Sequence, residues 1–250
     1  MTQLVTVGEV AELLRPTIEH GVIGFDVDGV LAPIVQHADQ SQLSPGVAAA
    51  LDRLAEMVPV IILSGRSLES LERLFAFTPG IHVVGSHGLE VRDATPLTLT
   101  DEEHRTFDQL RLLGAKAVAA IGDGAWLEHK PASVVVHTRS ADERLVQPAI
   151  HALINLVGTV EGASVKNGHC VVELLARSAS KGSALLAHAR TIARSPVAYF
   201  GDDLTDEDAF LQMSSEDVSV RVGSGDTVAR WRLADTAAVA ELLGLLASRA

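Results

Sequence analysis

Apolar residues in this chain follow two rhythms. Short, nearly continuous runs stand at 21–25 (GVIGF), 58–63 (VPVIIL), 81–85 (IHVVG), 196–200 (PVAYF) and 218–222 (VSVRV). Between them lie stretches whose apolar positions recur every three or four residues. Continuous apolar strands are covered on both faces, and strand–helix alternation places them in a parallel sheet. The spacing predicts helices over 7–20, with Pro16 as a break, 44–57, with Ser44 as N-cap and Pro45 in the first turn, 67–76, 181–193, 205–212 and 236–248, the last capped by Asp235.

The rhythm changes between about 95 and 177. A helix is expected over 101–120, then the stretch WLEHKPASVVVHTR (126–139), a second helix over 141–157, and strands near 158–165 and 169–174. Strands that follow one another through short connections pair antiparallel, so this segment reads as an α+β insert. The expected fold is α/β: a doubly wound parallel Rossmann-like core, residues 1–94 and 178–250, interrupted by the insert at 95–177. Trp126 and Trp231 are read as packing residues.

Composition narrows the function classes. The 250 residues carry a net charge of −12, which argues against broad binding to nucleic acid or to anionic membranes. With one cysteine, Cys170, no intrachain disulfide is available, which fits a reducing compartment. The N-terminal stretch has no basic region and carries Glu9 and Glu12, unlike a signal peptide, and no apolar run approaches the ~18 residues of a membrane span. The expectation is a cytoplasmic protein.

In open parallel sheets ligands bind beyond the carboxyl ends of the strands. Three such ends carry polar motifs here: Asp26 and Asp28 in DVDG, Ser64 in LSGR, and Asp202, Asp203 and Asp206 in GDDLTDED. Carboxylates two residues apart on a strand end repel unless a proton or a cation lies between them. Oxygen donors suit a hard cation such as magnesium. Ser64 and neighbouring backbone N–H groups suit phosphate oxygens, Lys181 offers a point positive charge, and a carboxylate is a competent nucleophile. Together these make a phosphoryl-transfer site. The dipole of a helix N-terminus explains Asp206 and Glu207 in the acidic run, but not the preceding Gly-Asp-Asp at a buried strand end.

The motifs DVDGVLAPI, LSGR, SKGSAL and GDDLTDEDAF, in that order, resemble those of the haloacid dehalogenase-like phosphatases. GSHGLEVR, WLEHKPASVVVHTR and VVELLARSASKG are further similar to the trehalose-6-phosphate phosphatases, over about residues 21–240. The resemblance implies Asp26 as nucleophile and magnesium ligand. It implies Asp28 as general acid and base that binds the metal through its carbonyl, and Asp202 as the third protein ligand. Asp203 and Asp206 would steady the metal's surroundings, and Ser64 and Lys181 would bind phosphate. The insert would be a cap whose Glu128, Lys130, Arg139 and Glu173 face sugar hydroxyls, with Arg66, His87 and Gly88 contributing from the core. The expected partner is a small-molecule sugar phosphate, and the expected state is a monomer.

The chain departs from the family pattern at Val30, where threonine is common, at Thr138, where many relatives have tyrosine, and at Leu175–Ala176. The last two lie in the insert, where sugar selectivity would be set. The same chemistry on sucrose phosphate, a glycosyl phosphoglycerate or a pseudo-disaccharide phosphate is the nearest alternative. A phosphorylated receiver domain also gathers Asp, Ser, Lys and magnesium at a sheet edge, but it lacks an insert of ~80 residues. A catalytically silent sugar-phosphate sensor is disfavoured because every expected catalytic residue is present.

Overall fold

A computed structural model describes residues 2–168 and 170–248. In chain order the first elements are β1 (Gln3–Leu4), α1 (Val7–Leu13), α2 (Arg15–His20), β2 (Val22–Phe25), α3 (Val47–Met57), β3 (Val60–Leu63), α4 (Leu68–Leu74), β4 (Ile81–Gly85) and β5 (Glu90–Val91). Then come α5 (Asp101–Ile121), β6 (Trp126–Lys130), β7 (Ser133–His137), α6 (Glu143–Val157), β8 (Ser164–Gly168) and β9 (Val171–Leu175). The last are α7 (Lys181–Thr191), β10 (Val197–Gly201), α8 (Leu204–Gln212), β11 (Val218–Val222), β12 (Trp231–Leu233) and α9 (Thr236–Ala247). The chain divides into two units, one built from the segment up to Thr95 and from Ala179 onward, the other from Pro96–Ser178.

The first unit is the doubly wound α/β core. Its sheet runs β1-β12-β11-β10-β2-β3-β4-β5, parallel throughout except for β5. Side chains alternate between the faces. Ile23, Phe25, Ile62, Ala198 and Phe200 pack with Leu14, Leu51, Leu54 and Leu243 on one side. Val22, Ile61, Leu63, Val197 and Tyr199 pack with Leu185, Ala189 and Phe210 on the other. Burying both faces is why these strands read as unbroken apolar runs. From β2 at its centre the sheet extends to β3 on one side and to β10 on the other. Their following loops part there and leave a crevice at the carboxyl ends of the strands.

The second unit is an antiparallel sheet, β6-β7-β9-β8, with two helices on one face. Val134, Val136, Val172 and Leu174 meet Leu110, Ala117, Leu153 and Val157 of α5 and α6. The opposite face carries the residues of the other parity. Glu128, Val135, Glu173 and Lys166 form one cross-strand row, and Trp126, His137, Val171 and Gly168 form the next.

Several local expectations are corrected. Ser44 does not cap α3; the N-cap is Gly46, at φ +82° and without a side-chain cap, while the buried Ser44 donates its N–H to the Leu31 carbonyl. Pro16 sits in the first turn of α2, and the break falls at Leu14. The expected strand near 158–165 is largely a turn that winds off α6 through Thr159 N–H to Leu156 and Val160 N–H to Val157. The strand itself begins at Ser164. The next strand runs from Val171 to Leu175, and His169, where it was expected to begin, lies outside the described residues. Trp231 packs against the core as expected, but Trp126 is 53% exposed and packs in no core cluster among the described residues. No helix of the described residues is long and apolar enough to cross a membrane.

Candidate active site

Asp26 follows β2 at the switch point between β2 and β10, and its N–H bonds the Phe200 carbonyl at 2.9 Å. One carboxylate oxygen accepts from the Val27 N–H at 2.7 Å and the other lies 2.8 Å from Lys181 Nζ. Lys181 is the first residue of α7, after Ser180 as N-cap, and only 2% of its side chain is exposed. A buried ammonium requires anions. Lys181 has Asp206 at 2.9 Å, and Asp203 at 4.0 Å, besides Asp26. Burial alone would push the ammonium down, but Asp206, Asp26 and Asp203 hold it well above its ordinary range.

Asp206 is fully buried. Its Oδ1 accepts from Lys181 and, at 2.6 Å, from the Tyr199 hydroxyl, while Oδ2 accepts the N–H groups of Asp202 at 2.9 Å and Asp203 at 3.1 Å. This single carboxylate therefore joins the ammonium to the backbone of the Gly-Asp-Asp turn. Asp203 caps α8, accepting from Thr205 and from the Asp206 N–H. Burial opposes its ionisation, but Lys181 and the hydrogen bonds from Thr205 and Asp206 outweigh it and bring Asp203 down to about 2. The neighbouring Asp202 goes the other way: burial, with Asp206 and Asp203 adding, pushes it up to about 7. Asp26 is likewise pushed well up, first by burial and then by Asp206, Asp203 and Asp202, against the pull of Lys181.

Gly29 and Gly65 are dictated by close approach. Gly29 has φ +84°, and a Cβ there would lie 2.0 Å from Asp202 Oδ2, so Asp202 leans over the turn that carries Asp26 and Asp28. A Cβ on Gly65 would lie 2.6 Å from the His87 ring, which covers the loop after β3. The His87 N–H donates to the Ser64 carbonyl at 2.9 Å, and Gly88 lies against the start of α7. Ser64 itself is buried, and its Oγ accepts the Arg66 N–H at 3.2 Å. The Asp28 carboxylate is held by its neighbours. Arg66 grips it with two hydrogen bonds, at 2.6 and 2.7 Å, Ser41 adds a third at 3.0 Å, and the remaining arm of Arg66 reaches the Ala38 carbonyl. A forked guanidinium of this kind fixes a carboxylate's orientation as well as its charge.

The residues present fit a hard divalent cation. The donors are all oxygen. Among the described residues, Asp26, Asp203 and Asp206 bring carboxylate oxygens within 4.8 Å of one another, and Lys181 lies at the same three groups. One ammonium faces Asp26, Asp203 and Asp206, while Asp202 stands beside them at the Gly29 turn with an affinity for protons that a cation would reverse.

In the second unit, Glu128, Lys130 and Glu173 share the sheet face that carries no helix. Lys130 Nζ lies 3.2 Å from Glu173, Ser133 Oγ donates to Glu173 at 2.6 Å, and His137 Nε2 lies 2.8 Å from Glu128. Burial would raise Glu128, but His137 and Lys130 bring it below its ordinary value. Arg139 is exposed just beyond β7, and the Thr138 hydroxyl bonds the Cys170 carbonyl at 3.0 Å. Tyr199 and His137 escaped the sequence reading. A signal existed for Tyr199, the only tyrosine in the chain: a phenol two residues before Gly-Asp-Asp at a buried strand end needs an acceptor.

A family model, Trehalose-phosphatase, matches residues 24–238. The trehalose-phosphate phosphatase of Mycobacterium ulcerans (strain Agy99) is 34% identical, over 93% of this chain and 63% of its own length. The trehalose-6-phosphate phosphatase of Escherichia coli (strain K12) is 34% identical, over 84% of this chain and 80% of its own length. The chain thus spans about two thirds or less of the mycobacterial relatives it matches. The solved C-terminal domain of a C. albicans trehalose-6-phosphate phosphatase has the same fold, with a TM-score of 0.82 at 23% identity over 99% of this chain and 98% of that one. A haloacid dehalogenase-like hydrolase from B. subtilis aligns with a TM-score of 0.63 at 16% identity, over 90% of this chain and 99% of that one.

Proposed function

The chain belongs to the trehalose-phosphatase family, and from that premise we propose that it hydrolyses trehalose 6-phosphate to trehalose and inorganic phosphate with magnesium as its cofactor. The observation that carries this reading is the buried Asp26–Lys181–Asp206 cluster at the switch point of the sheet. Asp26, the Asp28 carbonyl and Asp202 would hold the ion, with Asp203 and Asp206 fixing their surroundings. Bound there, magnesium supplies charge neutralisation for the phosphoryl oxygens.

Ser64 and Lys181 bind the phosphate. Asp26 attacks phosphorus; the bond from phosphorus to the sugar oxygen breaks, and its electron pair leaves on that oxygen. Asp28, aimed by Arg66, gives the departing oxygen its proton. Asp28 then takes a proton from the water that attacks the aspartyl phosphate, which releases phosphate and frees Asp26. Glu128, Lys130, Arg139 and Glu173 bind sugar hydroxyls, with Arg66, His87 and Gly88 contributing from the core. The reading includes a monomer working in the cytoplasm.

Phosphate release from trehalose 6-phosphate, sucrose 6-phosphate and glucose 6-phosphate, each with magnesium and with EDTA, tests it. Magnesium-dependent turnover of trehalose 6-phosphate above the others is expected. Preference for another glycoside phosphate would retain the chemistry and overturn the substrate. Turnover that survives EDTA would overturn the metal's role.

A further inference from the structure

Trp126 is 53% exposed, an unusual position for the largest apolar side chain. Yet it is not loose. It pairs directly across from His137 in the second unit's sheet, and the two rings stack with centroids 3.8 Å apart and planes 1° from parallel. The imidazole is in turn held by Glu128 at 2.8 Å. One face of the indole is therefore covered by a ring that a carboxylate fixes, and much of the remaining indole surface faces solvent.

The surroundings identify what such a surface suits. Trp126 and Glu128 lie two residues apart on one strand, so they share a face about 7 Å apart. The Glu128 row continues to Glu173 and Lys166, and Lys130 stands in the row beyond. A rigid aromatic plane beside carboxylates and ammonium groups is complementary to a pyranose, which has an apolar face of C–H bonds and a rim of hydroxyls. A flat apolar partner alone would not use the charged rows, and a phosphate would not use the indole.

We infer that Trp126, backed by His137, is the platform on which one glucose ring of the disaccharide stacks, and that it sets the preference for a disaccharide over a smaller sugar phosphate. The inference rests on trehalose 6-phosphate being the substrate. Trp126→Ala should raise KM for trehalose 6-phosphate about tenfold while kcat stays within about twofold. Trp126→Phe should restore most of the affinity, and the melting temperature of Trp126→Ala should stay near that of the parent. A second measurement uses the chain's two tryptophans. In a Trp231→Phe background Trp126 is the sole indole, and titration with trehalose should change its emission saturably.

A parent enzyme that hydrolyses trehalose 6-phosphate, together with an unchanged KM in Trp126→Ala or a flat fluorescence titration, overturns the platform alone. A parent enzyme that does not hydrolyse trehalose 6-phosphate overturns the functional reading, and the assigned ligand with it. A fall in kcat and melting temperature together, without rescue by phenylalanine, would show a structural role and also overturn the platform.

Discussion

Replacing Asp26 by asparagine should abolish turnover and leave the protein as stable as before, or more so. Removing one partner of a buried ion pair ordinarily costs about 3–5 kcal/mol, because the other charge is stranded. Here Lys181 keeps Asp206 at 2.9 Å, so it is not stranded. Asp26 also meets two like charges. Its repulsion from Asp203 and Asp206, with oxygens within 4.8 Å, is at least about 3.5 kcal/mol each at an effective dielectric of 20. The attraction of Lys181 at 2.8 Å is about 6 kcal/mol on the same footing. The Coulomb contributions nearly cancel, and burial then decides against the carboxylate, in line with the raised proton affinity of Asp26. Asparagine keeps the shape and removes the charge. In EDTA we expect Asp26→Asn to gain about 1–2 kcal/mol, a rise of roughly 2–8 °C in melting temperature, while phosphate release falls by about 10⁴-fold or more. Magnesium should stabilise the parent more than the variant. Differential scanning fluorimetry with and without magnesium, beside a phosphate-release assay, reads all three. A variant that melts lower than the parent in EDTA would refute the reasoning, because it would mean that the Asp26–Lys181 pair is net stabilising.

Other substitutions probe the supports around this cluster. Gly29→Ala forces φ +84° on a residue with a Cβ and drives that carbon into Asp202. It should weaken magnesium affinity, measured by activity against magnesium concentration, and an unchanged midpoint would show that Asp202 is not held by the turn. Tyr199→Phe deprives Asp206 of one buried donor and should cost about 1–2 kcal/mol in chemical denaturation; a neutral effect would mean that the phenol contributes nothing net. At the other end of the sheet, His82 stacks on His188 at 3.9 Å, and burial, with His188 and Arg92 adding, brings His82 down to about 4. The fold thus disfavours the protonated ring. The stability this contributes is present above pH 6.5 and is lost as pH falls toward 4, about 1–2 kcal/mol after allowance for solvent screening. Melting temperatures at pH 7.5 and 5 should diverge less in His82→Phe than in the parent, and equal slopes would remove the pair from the account.

Much of this protein is determined locally. The unbroken apolar runs at 22–25, 60–63 and 197–201 are strands of a doubly covered parallel sheet, because two buried faces leave no polar alternation to write. Asp235 caps α9 and Ser67 caps α4 as short polar residues do before an apolar helix. The order Asp-x-Asp, Ser-Gly-Arg, Lys and Gly-Asp-Asp, read against strand ends, pointed to one acidic rim, where Asp26, Lys181, Asp203 and Asp206 meet. Other features depend on contacts that no local pattern encodes. β1, β5 and β12 are two or three residues long and exist only where they pair with strands already in the sheet, β1 and β5 as its two edges. Ser44 is no cap because α3 begins after Gly46, while the Ser44 backbone bonds Leu31 and Val47. The family resemblance gave Asp202, Asp203 and Asp206 separate roles, but nothing in the run itself shows their charge states. Tertiary packing pushed one up to about 7, drew one down to about 2, and buried the third between an ammonium and a phenol. Trp126 is the sharpest case, since an indole on a strand reads as core until the partner strand places His137 beneath it and leaves most of its surface open. Sequence carries the spacing of side chains along one element; which charge or ring faces another is a property of the pairing between elements, and it appears only when the sheet has closed.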